Sequence, residues 1–310
     1  MAEKFLHYAR LVPILKSLAQ MPLLSFGRAI FDTARYGTFK EHLLFLPDLA
    51  GYRKIEAAIF ISPESDRSPS SGIWVLGFGL ELLLIHKLMT TSGSIFLAGA
   101  SRGVGHQIAR ILATQNLPVL ALIRSPAAQS DLQALNVETV VGDALNPTDV
   151  TNAMTGQISA IVSTIGGLPQ DGQRADFLGN KQLIDAAVKN GVSRFILVSS
   201  IGAGATKDAI PATAYAALAS VLADKEKAEQ YLIDSGLNYT IVRPGGLKSE
   251  PATGNGVLTL DTHVAGSITR SDVATLVCRC LASTAAQNQV LSAFDKNMVY
   301  GTAAYREFVV

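Results

Sequence analysis

A short apolar run, Ser94-Ile95-Phe96-Leu97-Ala98, feeds a glycine-punctuated stretch, Gly99-Ala100-Ser101-Arg102-Gly103-Val104-Gly105. An apolar pattern at helical spacing, Ile108, Ala109, Ile111 and Leu112, follows it. Strand, turn and helix in this order make a phosphate-holding loop. Gly99 lets the strand end in a tight turn, Gly103 lets the backbone approach a pyrophosphate, and Gly105 lets the helix pack closely on the sheet. The free N–H groups at the helix start receive the anion. Ser101 and Val104 belong to the same cradle. The spacing is G-x-x-x-G-x-G rather than G-x-G-x-x-G, so its meaning depends on the strand and helix that flank it.

The charges near this loop bear on the choice of cofactor. An NAD site usually places Asp or Glu about 20 residues past the glycine loop, to accept from the ribose hydroxyls. Here the next apolar run ends in Ile123-Arg124-Ser125, without an acid. Arg124, with Arg102 inside the loop, can supply charge-assisted hydrogen bonds to a 2′-phosphate. The pattern favours NADP(H) over NAD. Ser163, Thr164, Ile165 and Gly166 follow another apolar run, and residues this small suit close approach to the ribose and nicotinamide end.

The elements that must hold these residues alternate. Pro118–Ile123, Val137–Val141, Ile158–Ser163, Arg194–Ser199 and Tyr239–Val242 are short apolar or β-branched runs, and helical patterns such as 179–190 and 216–235 lie between them. This predicts an α/β fold, a doubly wound parallel sheet, over residues 93–310. Residues 1–92 precede a domain that would be complete without them, and they read as an apolar, mainly helical extension. Phe5, Tyr8, Leu11, Leu15 and Leu18 recur at helical spacing, interrupted by Pro13. Up to residue 40 there are six basic residues against two acidic ones. That bias suits peripheral contact of residues 1–40 with an anionic membrane or an acidic partner, or a helical appendage packed on its own domain. The run from Ile73 to Ile85 contains Glu81 and is too short to span a bilayer, which takes about 20 residues.

The chain is 310 residues long with a net charge of +1, and its basic residues do not cluster throughout, so nucleic acid is not an expected partner. Charged residues are 16% of the chain, low enough against a usual value of about 25% to suggest that a partner or membrane covers something apolar. Cys278 and Cys280 stand two apart on a predicted helix and cannot pair, and the five histidines lack ligand spacing, so no metal site is expected. Together these point to a reducing compartment, cytoplasm or an organelle stroma, with no evident secretory signal.

Several further segments carry a family resemblance: Gly142-Asp143-Ala144, Ser199-Ser200, the stretch from Ser235 through Arg243-Pro244-Gly245-Gly246-Leu247, and Ile268-Thr269-Arg270-Ser271-Asp272-Val273-Ala274. With the glycine loop, residues 94–295 resemble the atypical short-chain dehydrogenase/reductase group, which includes NmrA-like regulators, biliverdin-reductase-like enzymes and NAD(P)-binding proteins of cyanobacteria and chloroplasts. The resemblance implies that Asp143 and Ala144 lie by the adenine, although Asp143 also reads as an ordinary turn aspartate. It implies that Pro244 shapes the loop over the nicotinamide. Better-known members use Tyr-x-x-x-Lys, the lysine binding ribose and the tyrosine giving a proton. Lys225 stands in the expected helix, but Val221 occupies the tyrosine position and Tyr215 is ten residues away. Three assignments stay open: Lys225 binds ribose while Ser199 or Ser200 orients a small-molecule substrate, Tyr215 acts from another geometry, or no chemistry occurs and the protein serves a protein complex. Arg270 and Asp272 read as a helix-start device.

Overall fold

The computed structural model describes residues 93–166 and 173–310 and, before them, only the strands Leu44–Phe45 and Glu56–Ala57. These two short strands pair antiparallel. The remaining expectations for residues 1–92, helical character and membrane or partner contact included, fall outside the described residues. The chain divides into two units, Met1–Leu83 and Leu84–Val310, and the second carries the glycine loop.

Within that unit the strands are β1 (Ser94–Ala98), β2 (Val119–Ile123), β3 (Glu138–Val141), β4 (Ile158–Ser163), β5 (Arg194–Val198), β6 (Asn238–Pro244), β7 (Gly246–Lys248), β8 (Gly256–Thr259), β9 (Ala265–Thr269), β10 (Gln289–Asp295), β11 (Val299–Tyr300) and β12 (Glu307–Phe308). The α-helices are α1 (Gly103–Thr114), α2 (Gln129–Gln133), α3 (Pro147–Ala153), α4 (Leu178–Lys189), α5 (Ala212–Asp234) and α6 (Arg270–Ala282). A nine-stranded sheet has the order β12-β8-β10-β6-β5-β4-β1-β2-β3, and a three-stranded sheet the order β11-β9-β7. From β3 through to β10 neighbours are parallel; β8 and β12 close that side antiparallel. The doubly wound sheet expected from sequence is thus present.

Its strands read as continuous apolar runs because both faces are covered. Ile95 and Leu97 of β1 face a core that includes Ile108 and Leu112 of α1 and Val273 and Val277 of α6. Phe96 and Ala98, on the opposite side of the pleat, face Leu183 and Ile184 of α4 and Leu232 of α5. Phe96, Leu97, Phe195 and Ile161 are fully buried, each stabilising the sheet by about 1.5–3 kcal/mol before entropy is charged against it. The chain winds from β1 outward to β3, then crosses back to β4 and continues the other way. The β1/β4 junction is therefore the point where the winding reverses, and side chains beyond its strand ends flank an open crevice.

Candidate functional site

A cavity of about 960 Å³ occupies that crevice. Its floor is the glycine loop, whose three glycines do separate work. Gly99 has φ +91°, and a β-carbon there would lie 2.5 Å from Thr164 Oγ1. On Gly105 a β-carbon would stand 2.1 Å from the Gly99 carbonyl oxygen, so α1 meets the end of β1 only because that side chain is missing. Thr164, beyond β4, ties the turn down by donating to the carbonyls of Ala98 and Gly99, both at 3.2 Å. Gly103, at φ +60°, is different: it lines the cavity, and a β-carbon there would meet only the Arg270 side chain, in ordinary van der Waals contact at 3.8 Å.

The two helix starts at this cavity are finished differently. At α6 the N-cap Thr269 accepts from Asp272 N–H at 3.1 Å. The Asp272 carboxylate accepts from Thr269 Oγ1 (2.7 Å), Thr253 N–H (2.9 Å), Gly254 N–H (3.0 Å) and Thr253 Oγ1 (3.1 Å). Burial pushes the Asp272 carboxyl up, but these donors outweigh it and hold it below the usual carboxylate range. At α1 the N-cap Arg102 makes no side-chain capping bond, and no acid stands in the first turn. The amides of α1 are left for an anion. Among the described residues neither the Arg102 nor the Arg124 side chain makes a hydrogen bond or ion pair; both residues are exposed and line the cavity. Uncapped amides, a side-chain-free Gly103 on the cavity wall and two guanidiniums without a partner fit a dinucleotide.

The structure brings most of the expected residues to this cavity. Ser101, Val104, Asp143, Ala144, Thr164, Ile165, Ser199, Ser200, Lys225 and Pro244 line it with the glycines and the two arginines. Asp143 is also the turn aspartate that its position allowed, accepting from Leu145 N–H at 2.9 Å, and its own N–H donates to Asp149 at 2.9 Å. Ser163 is not brought to the cavity. It is fully buried, and its hydroxyl donates to Asn180 Oδ1 at 2.6 Å, fixing α4 against β4. Tyr215 is not there either: Lys207 Nζ lies 4.7 Å from its ring centre, and Val221 does not reach the cavity.

Three features of the site went unread in the sequence. Lys225 Nζ is paired at 3.0 Å with Asp176, a fully buried carboxylate. A β-carbon on Gly166, at φ +141°, would come within 2.3 Å of Asp176 Oδ1 and 3.1 Å of Lys225 Nζ, so the chain passes close over this pair. Beneath Ser199 lies a second buried pair, Glu229 and Arg243, 3% and 7% exposed. Arg243 donates to Glu229 through Nε (3.1 Å) and Nη2 (2.5 Å), and the Ser199 hydroxyl donates to the same carboxylate. Ser199 thus lines the cavity with its proton turned inward, and Arg243 is a structural residue. Ser200 donates to the Ile201 carbonyl at 2.9 Å. Finally, Asp272 serves the helix start as expected, whereas Arg270 lines the cavity. Glu229 did leave a signal: four residues after Lys225 and three before Leu232, it shares a helix face with both. Asp176 left none.

Fold and site together define a Rossmann-type dinucleotide-binding protein. Residues 99–284 match the NAD(P)H-binding family, so the chain belongs to it, among the atypical short-chain dehydrogenase/reductase-like, reductase-like members. An uncharacterized chloroplastic protein of Arabidopsis thaliana is 36% identical over 199 residues, covering 60% of this chain and 71% of that one. Protein TIC 62, chloroplastic, of the same plant is 33% identical over 215 residues, which cover 61% of this chain but only 33% of TIC 62. Among solved structures, ChuY, an anaerobilin reductase from Escherichia coli O157:H7, is 33% identical with a TM-score of 0.61, covering 66% of this chain and 98% of that one. Among the described residues no group of His, Cys, Asp or Glu could hold a metal ion, and no helix is long and apolar enough to cross a membrane.

Proposed function

We propose that the protein is an NADPH-dependent reductase of the atypical short-chain type, acting on a small or medium apolar substrate in the cleft beside Ser199 and Ser200. The observation that carries the cofactor choice is the pair of unengaged guanidiniums, Arg102 and Arg124, at the β2 end of the cavity. They suit a 2′-phosphate, and β2 ends without the acid that would prefer free ribose hydroxyls. The bound nicotinamide supplies the hydride. The amides of α1 hold the pyrophosphate, Lys225, steadied by Asp176, reaches the ribose, and Ser200 orients the acceptor group. With Val221 where a tyrosine proton donor would stand, the proton comes from water or from the substrate. The likeness to an anaerobilin reductase supports reduction, and the chloroplastic relatives support an organelle stroma as the site of action.

A second reading, an NADP(H)-binding scaffold, assembly factor or redox sensor without turnover, is favoured by Val221 in the tyrosine position and by Tyr215 lying outside the cavity. Titration calorimetry of the full chain with NADPH and NADH, followed by reduced-nicotinamide absorbance against quinones, enones and tetrapyrroles, separates the two. Tighter NADPH binding with oxidation by a member of the panel is the expected result. Equal affinity for both cofactors overturns the NADP assignment; a tightly bound cofactor that stays reduced throughout supports the scaffold.

A further inference from the structure

Arg270 is the first residue of α6, yet its side chain does not serve that helix. Its Nη1 donates to Ser249 Oγ at 2.8 Å and reaches the Leu247 carbonyl at 3.5 Å. Its Cδ and Nε lie 3.8 Å from where a β-carbon on Gly103 would stand. One edge of the guanidinium is thus fastened to the segment running on from β7, while the stem lies over the glycine loop. Among the described residues Arg270 forms no ion pair. The carboxylate closest in sequence, Asp272, is taken up by Thr253, Gly254 and Thr269. A half-buried cation therefore stands beside the uncapped amides of α1, on the same cavity wall, with its stem packed over Gly103. An anion bound at those amides would have this guanidinium for a neighbour, and a guanidinium presents donors on two edges, so it could grip phosphate oxygens without releasing Ser249.

We propose that Arg270 is the pyrophosphate clamp of this cavity, and that through Ser249 and Leu247 it couples cofactor binding to the setting of the Leu247–Glu250 segment, which lines the same cavity. The proposal rests on the dinucleotide reading above. It assigns Arg270 a ligand different in kind from that of Arg102 and Arg124: a group common to NADPH and NADH rather than the 2′-phosphate that distinguishes them.

The test uses the full chain and an Arg270→Met variant, which keeps most of the side chain's packing stem. Affinities are measured by calorimetry for NADPH, NADH and 2′-AMP; 2′-AMP has the 2′-phosphate and no pyrophosphate. Arg270→Met weakens NADPH and NADH by the same factor, about tenfold or more, and leaves 2′-AMP unchanged. Amide exchange then reads the coupling: NADPH slows exchange over residues 247–250 in the parent protein and fails to do so in Ser249→Ala, which cuts the tether and keeps the guanidinium. Unchanged dinucleotide affinity in Arg270→Met, or an equal loss for 2′-AMP, overturns the clamp. Protection that persists in Ser249→Ala overturns the coupling. Failure of the parent protein to bind either dinucleotide overturns the underlying cofactor reading instead, so the two failures are distinguishable.

Discussion

Two alanine substitutions two residues apart, in the first turn of α1, have different expected consequences. A β-carbon at position 105 would stand 2.1 Å from the Gly99 carbonyl oxygen and 2.5 Å from Thr164 Oγ1, with the Gly99 carbonyl carbon at 2.7 Å. Two of these three atoms are backbone, so α1 must move off β1. Overpacking of this kind costs about 1–3 kcal/mol or more, and in a domain of this size each kcal/mol lowers the melting temperature by about 2–4 °C. A β-carbon at position 103 meets nothing closer than 3.8 Å. Gly103→Ala therefore bears mainly the left-handed backbone penalty at φ +60°, about 1–2 kcal/mol, but it sets a methyl group on the cavity wall between the uncapped amides of α1 and the Arg270 stem. Thermal melting and NADPH calorimetry on both variants give the comparison. Gly105→Ala loses stability and binding together, whereas Gly103→Ala melts about 2–8 °C below the parent protein and loses at least about tenfold in affinity, or 1.4 kcal/mol. Gly103→Ala binding NADPH as well as the parent protein would refute the placement of the pyrophosphate.

Other expectations concern the frame around the site. Replacing either Glu229 or Arg243 by Met leaves a buried charge without its partner and costs about 3–5 kcal/mol in urea unfolding, while the double replacement recovers most of it; single losses below 1 kcal/mol would mean that water reaches the pair. Asp272→Asn costs about 2–3 kcal/mol at neutral pH, from its hydrogen bonds to a charged group. Because the folded-state carboxyl is held low, that advantage is complete above the unfolded value of about 3.9 and shrinks as pH falls through the folded value. A gap between the two proteins that widens in acid would reverse this sign. Burial pushes the thiols of Cys278 and Cys280 up to about 12, so neither should react with an alkylating reagent at pH 8 until the chain is denatured.

What could be read in the sequence follows a physical division. Local signals, the glycine spacing and the apolar runs bounded by turns, placed β1, α1, β2, β4, β5 and the cavity residues of the loop, because a strand buried on both faces has to be apolar and a tight turn has to be glycine. The pairs that finish the site join residues far apart in the chain. Lys225 was identified from its helix, but its partner Asp176 lies on another element, and nothing in the residues around Asp176 marks it as buried. Ser163 shows the same limit from the other side: a small polar residue at a strand end suits a ligand or a neighbouring helix equally, and Asn180 decided between them. Arg270 was read as part of a cap because Asp272 beside it was one; only the fold shows the two side chains parting, one into the loop at Thr253 and the other over Gly103.

Arg102 and Arg124 stand apart from all these pairs, since among the described residues their side chains hold no partner. Substituting an exposed residue that holds no partner leaves folding stability nearly unchanged, within about half a kcal/mol. On the proposed assignment, the end of the cavity that chooses the cofactor is therefore easy to rewrite: a lineage could pass from one nicotinamide pool to the other through single codon changes and without repairing the core. The opposite end, where Lys225, Asp176 and Gly166 constrain one another, has no such freedom, so change in this protein should accumulate unevenly across one cavity.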